Sequence, residues 1–321
     1  MIKRKLGCSG IEVSAIGLGC MGMDHVYGPS ANRQEMMTLI QKAVDLGCNF
    51  FDTAVVYGEA NEELLGEALA PYRNQVVIST KFGIIGQVVN ENKLENILDS
   101  RKEFIKEQLE VSLKRLKVNC IDLYYQHRVD PNVEPEVVAE TMKELISEGK
   151  IKAWGLSEAP IDYIRRAHAI CPIAAIQNQY SMIWRKPEKE LFQLCEELGI
   201  SFVAYSPLGN GFLSGKYTKE TQFKKGDFRN FMTRFQPEVI NQNQAVLNLI
   251  EEMAKAKEAT SAQIVLAWEL AQRPYIIPIP GTTKLHRLEE NLGSVKVELT
   301  AHELEQLNQA LDQLTIDERY F

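Results

Sequence analysis

The chain has 321 residues, of which 45% are hydrophobic and 25% charged, and its formal net charge is −7 at pH 7. Length alone allows two domains or one large barrel. An acidic chain with dispersed lysines and arginines lacks the basic surface of a non-specific nucleic-acid binder, and no apolar run approaches the length of a membrane span. The six cysteines are far apart without a CxxC pair and read as reduced thiols; the five histidines form no HxxxH or HExxH cluster, so no metal site is expected. Lys3-Arg4-Lys5 is not followed by an apolar signal segment, which leaves a cytoplasmic protein as the expectation.

"KRKLGCSGIEVS" opens the chain with a turn at Ser9-Gly10 between short runs, a hairpin pattern. Eight β-rich runs follow: 14–19, 48–53, 76–81, 121–127, 151–157, 175–179, 201–207 and 275–281. Helical periods separate them, as in Leu191, Leu194, Cys195 and Leu198 or Ile105, Leu109, Leu113 and Leu116. Three junctions share one form, with a helical stretch, a glycine (Gly47, Gly149, Gly199) and then a β-rich run. Eight such units predict a (β/α)8 barrel, one domain over 1–321, with an N-terminal hairpin and extra helices near the C-terminus. A polar, Gly-rich loop is expected at 209–237 and helical pattern from about 238 to 272. Thr300 and Glu303 form a capping box for a last helix.

One motif points elsewhere. "GLGCMG", with Gly17, Gly19 and Gly22, fits the GxGxxG of a Rossmann fold. However, "MDHVYGPSAN" separates the third glycine from the next helical pattern, and Asp52 comes too late for the ribose-binding acid. These glycines are expected instead to let the backbone approach a ligand at the barrel mouth.

A barrel gathers the C-terminal ends of its strands at one face. Those ends carry Cys20, Met21 and Gly22; Asp52 and then Tyr57; Lys81; His127; Ser157 and Glu158; Gln177; Tyr205 and Ser206; and Gly281, Thr282, Thr283 and Lys284. Each has a bland alternative: a capping Asp, a half-buried Tyr, a snorkelling Lys, a core His. Seven polar strand ends brought to one mouth favour function. An ammonium beside a phenol lowers its pKa and makes it a tuned acid, while a carboxylate compensates the buried ammonium. A neutral His can orient a carbonyl. The set suits proton delivery to an oxygen while a cofactor supplies hydride. "PIPGTTKLHRLEEN" leads from the last strand into a helix start with Lys284 and Arg287 on one face, which suits a phosphate monoester such as the 2′-phosphate of NADP.

The segments "FDTAVVYG", "ISTKFG", "IDLYYQHRVDP", "WGLSEA", "QNQYS", "AYSPLGNGFLSGKY" and "IPIPGTTKLHRLEEN" together resemble the aldo-keto reductase superfamily over nearly the whole chain. The resemblance implies a barrel that binds NADPH across its mouth and reduces aldehydes or ketones to alcohols. By matched position it implies Tyr57 as proton donor with Lys81 and Asp52, and His127 orienting the carbonyl. Tyr205 would stack on the nicotinamide, with Ser157, Glu158 and Gln177 about its carboxamide. Ser206, Leu208 and Gly211 would follow the pyrophosphate, and Gly281, Thr283, Lys284, Arg287, Glu290 and Asn291 the adenosine end. Met21, Gly22, Pro207, Lys216 and Thr282 complete the cofactor set. Tyr27, Phe82, Trp184 and Phe212 are candidates for a substrate pocket. Two positions depart from the pattern. Glu158 stands where many members have Asn, and Val55 where polar residues are frequent. The partner expected is a small carbonyl compound. Two alternatives stay open at this level: an NADPH-binding redox-sensing regulatory module, and a Schiff-base aldolase using Lys81.

Overall fold

The computed structural model describes residues 1–23, 31–90 and 93–320. A strand occupies every predicted run: Leu18–Gly19, Phe50–Asp52, Val77–Phe82, Ile121–Gln126, Ile151–Ser157, Ala175–Gln179, Ser201–Tyr205 and Ile276–Pro278. Each pairs in parallel with the next in chain order. The ring closes between last and first, where Gly19 bridges Gly281 and the Gly17 N–H donates to the Pro278 carbonyl at 2.9 Å. This is a (β/α)8 barrel.

Closure corrects the expectation for the "GLGCMG" glycines. A Cβ on Gly17 would sit 2.7 Å from the Phe50 ring, and one on Gly19 would sit 2.7 Å from the Ile279 carbonyl oxygen. Gly17 and Gly19 therefore admit the neighbouring strands rather than a ligand. A short 3-10 turn, Met21–Met23, follows them instead of the helix that a Rossmann motif requires.

Side-chain alternation sorts the strands into two layers. Phe50, Val77, Leu123, Tyr125, Val203 and Ile277 fill the barrel interior, and Leu6 and Val13 from the N-terminal hairpin join them. That hairpin pairs Lys3–Lys5 with Glu12–Ser14, and the Gly7 N–H donates to Ser201 Oγ at 2.8 Å, at the start of the seventh strand. It plugs the end where the strands begin and leaves their C-terminal ends as the mouth. The outer faces pack under the helices. Helices Arg33–Asp45, Pro135–Ser147 and Leu191–Leu198 give way to Gly47, Gly149 and Gly199, all at positive φ, as the three junctions predict. The capping box is also present, with Thr300 Oγ1 accepting from the Glu303 N–H and Glu303 Oε2 accepting from the Thr300 N–H.

Two regions differ from expectation. After the third barrel strand, Ile84–Asn90 and Lys93–Leu98 form an antiparallel hairpin that the sequence analysis leaves unassigned. The 209–237 stretch is not an open loop. Phe212, Tyr217, Phe223 and Phe235 pack ring against ring at 5.0 to 6.2 Å and give it an aromatic core of its own. The helical stretch after it divides into Pro237–Gln242, Gln244–Ala256 and Ser261–Gln272.

Glu269, on the last of these, is 0% exposed, and neither carboxylate oxygen has a hydrogen-bond partner among the described residues. Burial pushes its pKa well above the usual 4.5, so the folded protein holds it neutral. Above pH 4.5 the unfolded chain releases a proton that the folded chain keeps, so this residue lowers stability as pH rises. Glu269→Met is expected to stabilise the fold at pH 7 by about 1–3 kcal/mol, with the gain shrinking toward acid pH. Thermal unfolding at several pH values measures it. A variant that melts below the parent at neutral pH would contradict the assignment.

Candidate active site

Asp52 ends the second strand and is 3% exposed. A carboxylate at that depth needs partners, and it has three. Oδ1 accepts from Lys81 Nζ at 2.5 Å, and Oδ2 accepts from Ser79 Oγ at 2.7 Å and Gln177 Nε2 at 2.9 Å. Lys81 arrives on the adjacent third strand, where alternation turns it inward and Phe82 outward. Its ammonium also donates to the Thr53 carbonyl at 2.7 Å. Burial works against the charged amine, but Asp52, and after it Tyr57, more than offset this, and the Lys81 pKa ends raised. Lys81 is therefore a cation at neutral pH.

Tyr57 closes the short 3-10 turn Val55–Tyr57, just past the second strand. That turn brings the phenol back over the strand ends, with Lys81 Nζ 5.3 Å from its ring centroid. Burial pushes the phenol pKa up, and Lys81 and Arg128 pull it part of the way back. The sequence argument expects a net lowering; here desolvation outweighs the ammonium, so the resting phenol is protonated. His127 follows the fourth strand, with its ring edge-on to Tyr57 at 5.9 Å. Burial, then Lys81 and Arg128, hold its pKa well below 6.5, so it is neutral. Its side chain has no hydrogen-bond partner among the described residues. The mouth thus combines a protonated phenol, an anchored ammonium and a neutral imidazole with a ring nitrogen free to donate.

The remaining predicted residues fall on neighbouring strand ends. Gln177 is committed to Asp52 rather than standing free. Ser157 Oγ accepts from Arg128 at 3.0 Å. Glu158 adopts φ 52° and turns its carboxylate to the sixth strand, where it accepts from the Gln179 N–H at 2.8 Å and Asn178 Nδ2 at 3.1 Å. Tyr205 ends the seventh strand at the margin of the inner core. Met21 and Gly22 sit half-buried in the turn after the first strand. Ser206, at φ 52°, bends the chain through Pro207 into a 3-10 segment, Gly209–Ser214, that starts after Leu208 and contains Gly211; Lys216 beyond it is exposed. After the eighth strand, Gly281 leads to Thr282, whose Oγ1 accepts from the Lys284 N–H at 3.1 Å, and Thr283 is half-buried. Helix Leu285–Gly293 begins there and carries Arg287, Glu290 and the buried Asn291. Lys284 and Arg287 have no ion-pair partner among the described residues. The seventh and eighth strands are neighbours, so these two loops lie side by side at the mouth, the usual phosphate position of a barrel.

The expected substrate pocket is corrected in two places. Phe82 packs on Tyr124 at 4.9 Å in the helix-facing layer, and Phe212 is 0% exposed within the aromatic core of the 209–235 segment. Neither opens to the mouth. Trp184 is half-buried under the Lys186 ammonium, 4.0 Å from its ring centroid, and Tyr27 lies outside the described residues. Two contributors escaped the sequence analysis. Ser79 precedes Lys81 by two and so shares its inward face, a signal that period-2 reading contains. Arg128 stands directly after His127 with no signal of its own.

A model of the Aldo/keto reductase family matches residues 15–312, the span that contains the whole barrel. The chain belongs to the aldo/keto reductase family. The reductase is 44% identical over 309 residues to a probable aldo-keto reductase 1 of Glycine max, a match covering 96% of this chain and 88% of that one. Among solved structures it superimposes on a glycerol dehydrogenase from Gluconobacter oxydans with a TM-score of 0.85 at 28% identity, covering 98% and 96% of the two chains. An aldo-keto reductase from Bacillus halodurans in its holo form matches with a TM-score of 0.78 at 27% identity, covering 97% and 96%. The reductase is an oxidoreductase by family. Among its described residues no helix is long and apolar enough to cross a membrane.

Proposed function

We propose that this reductase converts an aldehyde or ketone to an alcohol with NADPH, and that Tyr57 delivers the proton. The observation that carries the proposal is the Asp52–Lys81 pair set beneath a protonated Tyr57 and beside a neutral His127. NADPH would supply hydride to the carbonyl carbon. His127 donates a hydrogen bond to the carbonyl oxygen and fixes its direction. As negative charge develops on that oxygen, Tyr57 hands over its proton, and the nearby Lys81 ammonium stabilises the phenolate left behind. Asp52, held by Ser79 and Gln177, keeps Lys81 in place.

The cofactor fit rests on the loops after the seventh and eighth strands. Lys284 and Arg287 are cations without counter-ions among the described residues, at the start of a helix whose first N–H groups lack intrahelical partners. A 2′-phosphate suits that charge. Tyr205 offers a ring at the mouth, and Ser157 a hydroxyl. Arg287→Ala is expected to raise KM for NADPH on the order of 10-fold and to change KM for NADH little. Equal weakening of both would remove the 2′-phosphate contact.

The aldolase alternative requires Lys81 as a neutral nucleophile. Its ammonium is buried, charged and donated to Asp52 and Thr53, which speaks against that chemistry. The decisive screen follows NADPH oxidation against aldehydes, ketones, sugars and quinones. Borohydride-trapped substrate on Lys81 without any NADPH oxidation would overturn the reductase proposal.

A further inference from the structure

Arg128 is half-buried at the end of the fourth strand, one residue past His127. Its guanidinium has five N–H donors. NH1 spends its pair on the His127 carbonyl at 2.6 Å and on Ser157 Oγ at 3.0 Å. The Nε and NH2 donors have no acceptor among the described residues, and no carboxylate forms an ion pair with them. Lys284 and Arg287 lie in the loop and helix start after the eighth strand, whereas the charges on the nearer strand ends are engaged. Asp52 and Lys81 hold each other, and Glu158 is turned onto Asn178 and the Gln179 N–H. A half-buried cation without a counter-ion is costly to keep unless something anionic arrives. The free Nε–NH2 edge is the side of a guanidinium that takes both oxygens of a carboxylate. Holding NH1 from two sides fixes the fork before any ligand binds, which lowers the entropy cost of using it.

We infer that Arg128 is a specificity-determining residue that binds the carboxylate of the substrate, so that the preferred substrates are carbonyl compounds carrying a carboxylate close to the reducible group. The inference rests on the proposed carbonyl reduction at Tyr57 and His127. It deepens that proposal by naming the substrate class. The bonds of NH1 to the His127 carbonyl and to Ser157 Oγ hold the guanidinium among the same strand ends as the group that orients the carbonyl, so a single short molecule is expected to engage both.

The test compares two matched pairs under NADPH: terephthalaldehydic acid with its methyl ester, and succinic semialdehyde with its methyl ester. In the aromatic pair the ester withdraws electrons more strongly than the carboxylate, so intrinsic reactivity favours the ester. The wild type is expected to prefer each acid on the order of 10-fold in kcat/KM, mainly through KM. In Arg128→Met that preference should collapse to near parity, and Arg128→Lys should keep part of it because charge remains while the fork is lost. Equal losses on acid and ester would assign Arg128 a structural role through Ser157 and overturn the inference. So would an unchanged ratio, or a wild type that prefers both esters. If the Met variant does not fold, the wild-type ratio and its response to Arg128→Lys decide the matter. Absence of NADPH oxidation with all four compounds and across the wider screen would instead strike the carbonyl-reduction proposal beneath it. Oxidation with the esters alone would strike the carboxylate inference only.

Discussion

Tyr57→Phe is expected to lower kcat for carbonyl reduction by about three orders of magnitude while NADPH binds nearly as before. The phenylalanine ring keeps the edge-on packing against His127 and removes only the oxygen that carries the proton. The size of the loss follows from what remains. His127 is held neutral and can still donate a hydrogen bond, and Lys81 stays charged, so orientation and part of the electrostatic stabilisation survive. Proton delivery then depends on water. Steady-state rates with any accepted aldehyde, together with a binding titration of NADPH, separate the two effects. A variant that retains the parental kcat removes Tyr57 as the donor. One that loses NADPH binding in proportion means that the residue serves the cofactor instead.

Lys81→Met carries the second large effect, and this one falls on stability as well as on rate. The substitution preserves the apolar stem and deletes the ammonium. Asp52 would then be left 3% exposed with Ser79 and Gln177 as donors but without its counter-ion. Breaking a buried pair from one side costs about 3–5 kcal/mol, because a charge is stranded in a poorly solvating interior. Activity should fall alongside, since Tyr57 loses the cation that stabilises its phenolate. Pairing Lys81→Met with Asp52→Asn should recover a large part of the lost stability and none of the rate. Urea unfolding of the two single variants and the double variant gives the coupling directly. Additive stability losses would show that the 2.5 Å contact contributes little to the folded state.

The barrel was legible in the sequence because each βα unit declares itself locally. Apolar period changes from helical to strand, and a glycine at positive φ marks the change at Gly47, Gly149 and Gly199. The hairpin Ile84–Asn90/Lys93–Leu98 was not legible. Ile85, Val88 and Ile97 are exposed on it, so its strands do not show a clean buried face, and it interrupts the βα beat between the third strand and its helix. The 209–237 segment misled for a related reason. Its aromatic residues are scattered among polar ones, and only their convergence makes a core. Gly17 and Gly19 matched a nucleotide-binding motif by residue type, whereas their true constraint is the closeness of the Phe50 ring and the Ile279 carbonyl, far away in sequence.

By itself, the sequence determined the order of elements, which strand ends carry polar groups, and that Asp52, Tyr57, Lys81 and His127 belong to one face, because barrel topology follows from local periodicity repeated eight times. Only the tertiary structure decided how those groups are charged and spent. Burial outweighs Lys81 at Tyr57, Gln177 serves Asp52, and Glu158 is turned away onto the sixth strand. Arg128 is left with one edge that has no acceptor among the described residues. Protonation and hydrogen-bond allocation depend on distances between residues remote in the chain and on how much water reaches them, and neither quantity is written in a local pattern.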